Sequence, residues 1–160
     1  MPTLNSKTST ETDRKSALVS MELDRYNVDI AVLCETRFAD CGSIVEECAG
    51  YTILWSGSPA AERRLHGVAV AIRTPLAKGI IPKPINERLI TIRLPIGGRR
   101  HLIVIGAYAP TMANDDDVKE QFYLDLSAII RQTRKEDKLM ILGDMNTRVV
   151  QMVLSHILLE

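Results

Sequence analysis

A chain of 160 residues, 46% hydrophobic and 25% charged, has the composition of one ordinary globular domain, which excludes a disordered or low-complexity polymer. Its 20 Lys and Arg balance 20 Asp and Glu, so no net field draws it to nucleic acid; such binding has to come from local basic pairs such as Arg63-Arg64 and Arg99-Arg100. Cys34, Cys41 and Cys48 are odd in number and evenly spaced, which fits neither a disulfide framework nor a zinc site and points to reduced thiols.

Residues 1–12 are polar and rich in Ser and Thr, as a flexible N-terminus is, and lack the apolar core of a secretory signal. With no apolar run long enough to span a bilayer, the expected location is the nucleus or cytoplasm, not the exterior. From Thr12 to Tyr26, helix formers put Ala17, Leu18, Met21 and Tyr26 on one face, which predicts a helix buried through that face. A strand follows at Ile30–Leu33, and the polar, acidic stretch Asp40–Gly50 reads as a loop. Strands are predicted at Tyr51–Trp55, Gly67–Arg73, Arg88–Leu94 and Leu102–Ala107, separated by Gly, Pro and Asn. In the third of these, Leu89, Thr91 and Arg93 alternate with Ile90, Ile92 and Leu94, so one face should meet solvent. Pro95–Gly98 is then a hairpin turn. Asn114 is placed to cap a helix opening at Asp115-Asp-Asp117, whose acids suit a helix N-terminus better than a metal cluster. That helix runs to about Arg131 and buries Phe122, Leu126, Ile129 and Ile130. Leu139–Leu142 closes the pattern as a strand covered on both faces. Strands in hairpins mixed with helices argue for packed sheets with helices outside, not for a simple Rossmann sheet, and there is no glycine-rich phosphate loop.

Three of these strands end in chemistry. Leu139–Leu142 stops at Gly143, which permits a sharp turn, and then at Asp144 and Asn146. Ile30–Leu33 breaks into Glu35, Thr36 and Arg37. Leu102–Ala107 ends in Tyr108 followed by Pro110, whose ring stops the ladder. Carboxylates and polar groups at the C-terminal rim of a sheet are where α/β proteins place their sites. Taken singly, each residue has an ordinary use: Glu35 and Arg37 as a polar strand cap, Tyr108 as a buried aromatic with one hydrogen bond, Asp144 and Asn146 as turn formers.

Taken together they form a pattern. Cys34-Glu-Thr-Arg37, His66-Gly-Val-Ala-Val-Ala-Ile72, Tyr108-Ala-Pro-Thr111 and Gly143-Asp-Met-Asn146 resemble, in order and spacing, motifs of the endonuclease/exonuclease/phosphatase superfamily. They are most similar to those of the apurinic-endonuclease-like domains of non-LTR retrotransposons. The resemblance covers about Asp13 to Val149. It implies an α/β fold, a four-layer αββα sandwich, and Mg²⁺-dependent phosphodiester cleavage of DNA, with Mn²⁺ as a substitute. It also implies Glu35 as the metal carboxylate, Asp144 as the group that orients or deprotonates water, and Tyr108 and Asn146 as positioners of the phosphate. A hard dication does prefer oxygen ligands and retained waters, so the residue types suit the chemistry.

The pattern also implies an early asparagine and a late aspartate–histidine pair. Asn5 follows no apolar run, and His156 lacks the preceding aspartate, so neither is assigned. The expectation is a partial sandwich over 13–149, lacking the first strand and the C-terminal strands, with residues 150–160 a non-family tail. Weak metal binding and little activity alone follow from that. So does partial exposure of the apolar strands Gly67–Arg73, Leu102–Ala107 and Leu139–Leu142, with self-association through them. The rival expectations are a non-catalytic binding remnant and a phosphoinositide or sphingolipid phosphatase-like member.

Overall fold

The computed structural model describes residues 6–59, 66–80 and 82–146, with side chains from Asp13 onward. Asn5, Arg63, Arg64, His156 and the tail 150–160 therefore lie outside the described residues. Helix α1 (Ser6–Arg25) leads into β1 (Ile30–Cys34), β2 (Cys41–Glu46), β3 (Tyr51–Ser56) and β4 (Val68–Arg73). A single 3-10 turn (Thr74–Ala77) precedes β5 (Lys83–Asn86), β6 (Leu89–Pro95) and β7 (His101–Tyr108). Helix α2 (Asp116–Gln132) then carries the chain to β8 (Lys138–Asp144).

These strands form two four-stranded sheets, ordered β1-β4-β3-β2 and β5-β6-β7-β8. All pairs are antiparallel except β7 with β8, which needs a crossover, and α2 supplies it. The alternating residues of β4 and β6 explain why the sheets stack. Val68, Val70 and Ile72 from β4 meet Ile90, Ile92 and Leu94 from β6 in one core, with Val104 and Tyr108 from β7. Six of these eight side chains are 0% or 1% exposed, so each contributes about 1.5–3 kcal/mol by its removal from water. The other face of the first sheet, through Ile53, Ala69 and Ala71, takes Leu23 of α1. The other face of the second, through Leu89, Ile105 and Ala107, takes Phe122 and Leu126 of α2. The result is the four-layer αββα sandwich.

Tertiary packing overrides several local expectations. Helix α1 opens at Ser6, before Thr12, and its buried face is not the apolar one: Leu18 is 64% exposed, Met21 59% and Tyr26 70%, whereas Ser16 and Ser20 are buried. Small serines let the helix approach closely, and the Ser16 hydroxyl reaches both the Asp13 carbonyl and Glu46 of β2. The expected loop at 40–50 contains strand β2, an edge strand held by its ladder to β3. Gly42 lies under Trp55 there, at a spot where a side chain would strike the indole. The expected wet face of β6 is covered by α2, leaving only Arg93 and Pro95 exposed in that strand. Asn114 does not cap α2; its Oδ1 accepts from the backbone N–H and hydroxyl of Thr111, and Asp115 stands at the N-cap. Ile130 of α2 is exposed.

The expected exposure of β4 and β7 is also corrected. Stacking buries β4 almost throughout and the C-terminal half of β7, because each sheet covers the other. Exposure is found at the edge strands, in β8 as expected for Leu139–Leu142 and in β1 as well; both are only half buried, so β8 is not covered on both faces. These two edges lie against each other on one side of the sandwich and flank an open groove of about 540 Å³ lined by Ile30, Val32, Cys34 and Leu142. The opposite edges are blunted, β2 by alternating exposure and β5 by Pro84 and a register shift.

Candidate active site

The site is built where β1, β7 and β8 end. In the parallel β7–β8 ladder Tyr108 pairs in register with Asp144, so their backbones reach the rim together. Strand β1 belongs to the other sheet and is brought there by the stacking; the Cys34 thiol donates to the Ala107 carbonyl at 3.6 Å, linking the two sheets just below the rim. Burial pushes the Cys34 thiol up.

Beyond Cys34 the chain turns sharply. Glu35 and Arg37 both adopt positive φ, 57° and 56°, a region that costs a non-glycine residue free energy unless its surroundings impose it. Here the Thr36 N–H donates to the Gly67 carbonyl at 3.3 Å and the Arg37 N–H to the His66 carbonyl at 3.2 Å, so the entry to β4 holds the turn. Gly67 is required at that approach, since a β-carbon would lie 2.5 Å from the Thr36 hydroxyl.

The turn delivers Glu35 to Tyr108. The Tyr108 hydroxyl donates to Glu35 Oε1 at 2.6 Å. That bond, followed by burial, pushes the phenol up to about 12, so Tyr108 is a proton donor at neutral pH. On the other side, Asn146 takes a positive φ of 46°, its N–H donates to Asp144 Oδ1 at 2.8 Å, and its side-chain amide donates to the Ala109 carbonyl at 2.6 Å. The Ala109 N–H returns a bond to the Asp144 carbonyl at 2.8 Å. The four residues singled out in the sequence thus converge. Glu35 and Asp144 are solvent-exposed, Tyr108 is buried, and both carboxylates contribute charge that raises the Tyr108 phenol.

Two further residues lie beneath Tyr108. The Arg88 guanidinium is buried, donates from Nη1 to the Tyr108 carbonyl at 3.2 Å and sits 5.3 Å from the centre of its ring. His66 Nε2 lies 3.4 Å from Arg88 Nη2, and its ring stands 6.0 Å from that of Tyr108. Burial, then the Arg88 charge, lowers the His66 imidazole. His66 opens the second of the four motifs, but nothing in the sequence gave its side chain a role. Arg88 did carry a sign, since it shares strand parity with Ile90, Ile92 and Leu94 and so points inward.

Other expected features lie elsewhere. Arg99 and Arg100 occupy the β6–β7 hairpin at the far end of the strands, where His101 and Arg93 gather around Asp137. Asp116 and Asp117 sit in the first turn of α2, with Asp116 paired to Lys119 at 3.0 Å, as a helix N-terminus should be. All three cysteines are free thiols.

Among the described residues no group of three or more His, Cys, Asp or Glu is placed to hold a metal. A tight, all-protein metal cage is therefore not what the donors fit. Two exposed carboxylates at one rim do fit a hydrated Mg²⁺, which takes one or two carboxylates and keeps several waters.

The profile of the Endonuclease/Exonuclease/phosphatase family matches residues 4–158. The chain belongs to that family. Two relatives, craniofacial development protein 2 of Bos taurus and of Tragulus javanicus, are 31% identical to it over 136 residues. Those residues are 84% of this chain but 22% and 23% of the relatives, so the chain spans under a quarter of their length. Among solved structures, a humanized D. rerio TDP2 shares the fold with a TM-score of 0.55 at 11% identity, covering 87% of this chain and 60% of that one. D. rerio TDP2 complexed with a single-strand DNA product gives 0.52 at 15% identity, covering 86% and 55%.

Proposed function

We propose that this chain is a divalent-metal-dependent phosphodiesterase of the endonuclease type, acting on nucleic acid with low turnover. The observation that carries the reading is the rim itself, a Tyr108–Glu35 hydrogen bond facing an Asp144–Asn146 turn across two sheets. Glu35, with Asp144 near it, would hold hydrated Mg²⁺ or Mn²⁺. When bound, the ion supplies Lewis-acid stabilisation of charge on a phosphoryl oxygen.

The chain's own residues do the rest. Asp144 has one oxygen engaged by the Asn146 N–H, and the other takes a proton from the attacking water, a contribution of typically ~10²–10⁴-fold. Tyr108 commits its one O–H to Glu35 Oε1 and so holds that carboxylate in place; its hydroxyl reaches the phosphate only when that proton turns away from Glu35. The Asn146 amide has one N–H committed to Ala109 and offers the second to the phosphate. Low turnover follows from exposure: both carboxylates meet water, which screens the fields that a closed site would use.

Nucleic acid is favoured as substrate by the DNA product held by the TDP2 structure of the same fold, and such a substrate implies the nucleus or cytoplasm. The motif order favours a retrotransposon-derived origin. The half-buried edges β1 and β8 favour self-association beside the site.

The test is cleavage of labelled single-stranded and abasic duplex oligonucleotides with and without Mg²⁺. Slow, Mg²⁺-dependent product that disappears in Glu35→Gln and in Asp144→Asn is expected. DNA binding without any metal-dependent product would make the domain a binding module instead. Hydrolysis of a phosphoinositide or sphingolipid in place of DNA would overturn the choice of substrate.

A further inference from the structure

Arg88 is an unusual thing to bury. Its side chain lies in the layer between the sheets, the residue is 7% exposed, and among the described residues no carboxylate forms an ion pair with it. Removing a guanidinium from water is costly when no carboxylate contacts it, and burial lowers Arg88 by more than the nearby Glu87 charge raises it; a methionine would fill the same space at no such cost. What the charge does obtain is geometry. One step beyond the β6–β7 ladder, the Tyr108 N–H donates to the Arg88 carbonyl at 2.8 Å, so the two residues are cross-strand neighbours on the inward face. The guanidinium then closes back on the same partner, Nη1 on the Tyr108 carbonyl and the plane against its ring.

The second arm of the fork fixes a proton. Arginine has only donors, so His66 Nε2 has to accept from Nη2, which puts the imidazole proton on Nδ1. That nitrogen is buried without a partner, so His66 does not compete for the Tyr108 hydroxyl or for Glu35. Arg88 thus grips Tyr108 by backbone and ring, and His66 closes the third side of the slot.

We propose that Arg88 is a positioning residue, a buried clamp that holds the Tyr108 ring at the angle where its hydroxyl meets Glu35. Arg88 touches neither metal nor substrate and acts only through Tyr108. This rests on Tyr108 and Glu35 being the working rim of the site.

The test uses the full chain labelled with ¹³C at tyrosine Cζ, a nucleus whose shift reports hydrogen bonding of the hydroxyl. The Tyr108 signal is assigned by its loss in Tyr108→Phe, and Glu35→Gln gives the shift of the altered bond. In Arg88→Met the Tyr108 signal should move away from its wild-type position towards that of Glu35→Gln while the Tyr51 signal stays. Arg88→Lys, which keeps one donor and the charge, should restore most of the difference. Mn²⁺ should broaden the wild-type Tyr108 signal, and its affinity should fall ~10-fold in Arg88→Met, as is usual when a residue behind a metal ligand is removed. An unmoved Tyr108 signal in folded Arg88→Met overturns the clamp. If that variant does not melt cooperatively, Arg88→Lys and Arg88→Gln decide: a Gln signal identical to wild type overturns the clamp, and a Gln shift rescued by Lys supports it. If Mn²⁺ leaves the wild-type signal untouched, the metal reading of Glu35 fails while the Cζ comparison still decides the role of Arg88.

Discussion

Gly143 is the position at which the smallest substitution should do the most damage. It sits in β8 one residue before Asp144, at a φ of 136°, and pairs with Ala107 in the parallel ladder. A β-carbon built there would lie 1.9 Å from the Ala107 carbonyl oxygen, 2.8 Å from its carbon and 3.1 Å from its nitrogen. These are backbone atoms of an interior strand, so no side chain can swing away. Gly143→Ala therefore combines backbone strain of about 1–3 kcal/mol with overpacking of about 1–3 kcal/mol, a total of about 2–6 kcal/mol. Set against the ~5–15 kcal/mol of an ordinary domain, this is enough to unfold a sizeable fraction of molecules. Gly50→Ala is the control, because Gly50 also has positive φ, 73°, but nothing lies within 4 Å of its would-be β-carbon. It should cost only about 1–2 kcal/mol. Urea titrations of the two variants and wild type, compared at a common slope, separate strain from clash. Since relief of the clash would part β7 from β8 beside the Tyr108–Asp144 pair, any folded Gly143→Ala should also lose Mn²⁺ affinity. A stability difference between the two variants below about 1 kcal/mol would refute the close approach, given the overpacking expected from it.

The Tyr108 phenol has an ordinary value of 10.0 and is pushed up to about 12 in the folded chain, so its contribution to stability is complete below pH 10 and is lost as pH rises through about 12. Tyr51, raised by burial, acts in the same direction, so the expected signature is a difference: Glu35→Gln should flatten part of the alkaline loss of stability seen by circular dichroism, and equal slopes would count against the bond. At the far end of the strands Asp137, with a side chain 2% exposed, accepts the His101 N–H at 2.9 Å and faces Arg93 at 3.7 Å. Asp137→Ala should destabilise by about 1–3 kcal/mol in urea while Mn²⁺ affinity is unchanged; a loss of affinity would mean that the two ends are coupled. The half-buried edges β1 and β8 should make the chain associate at micromolar concentration, and Val32→Lys should shift sedimentation towards monomer; a wild-type monomer would show that these edges are already covered.

The rim residues were legible in the sequence because their signal is local. An apolar run that stops at Glu35, at Tyr108-Ala-Pro110 or at Gly143-Asp144 marks the end of a strand at the rim of a sheet, and the order of the four motifs specified the fold and the family. Helix α2 was equally plain, since Phe122 and Leu126 face the sheet at helical spacing. What sequence could not supply depends on partners distant along the chain. The positive φ of Glu35, Arg37 and Asn146 is imposed by Gly67, His66 and Ala109, and a non-glycine residue gives no local sign of it. Strand β2 exists because β3 offers a ladder, not because its polar residues prefer to be extended. Helix α1 turned its serines to the sheet and left Leu18 and Met21 in water, with Ser16 bonded to Glu46 of β2 and Leu23 packed against Ile53, Ala69 and Ala71. Arg88 carried a parity signal but no partner. Only the stacking of the two sheets, which covers β6 on both faces and sets Tyr108 above the guanidinium, turns that inward-pointing charge into part of the site.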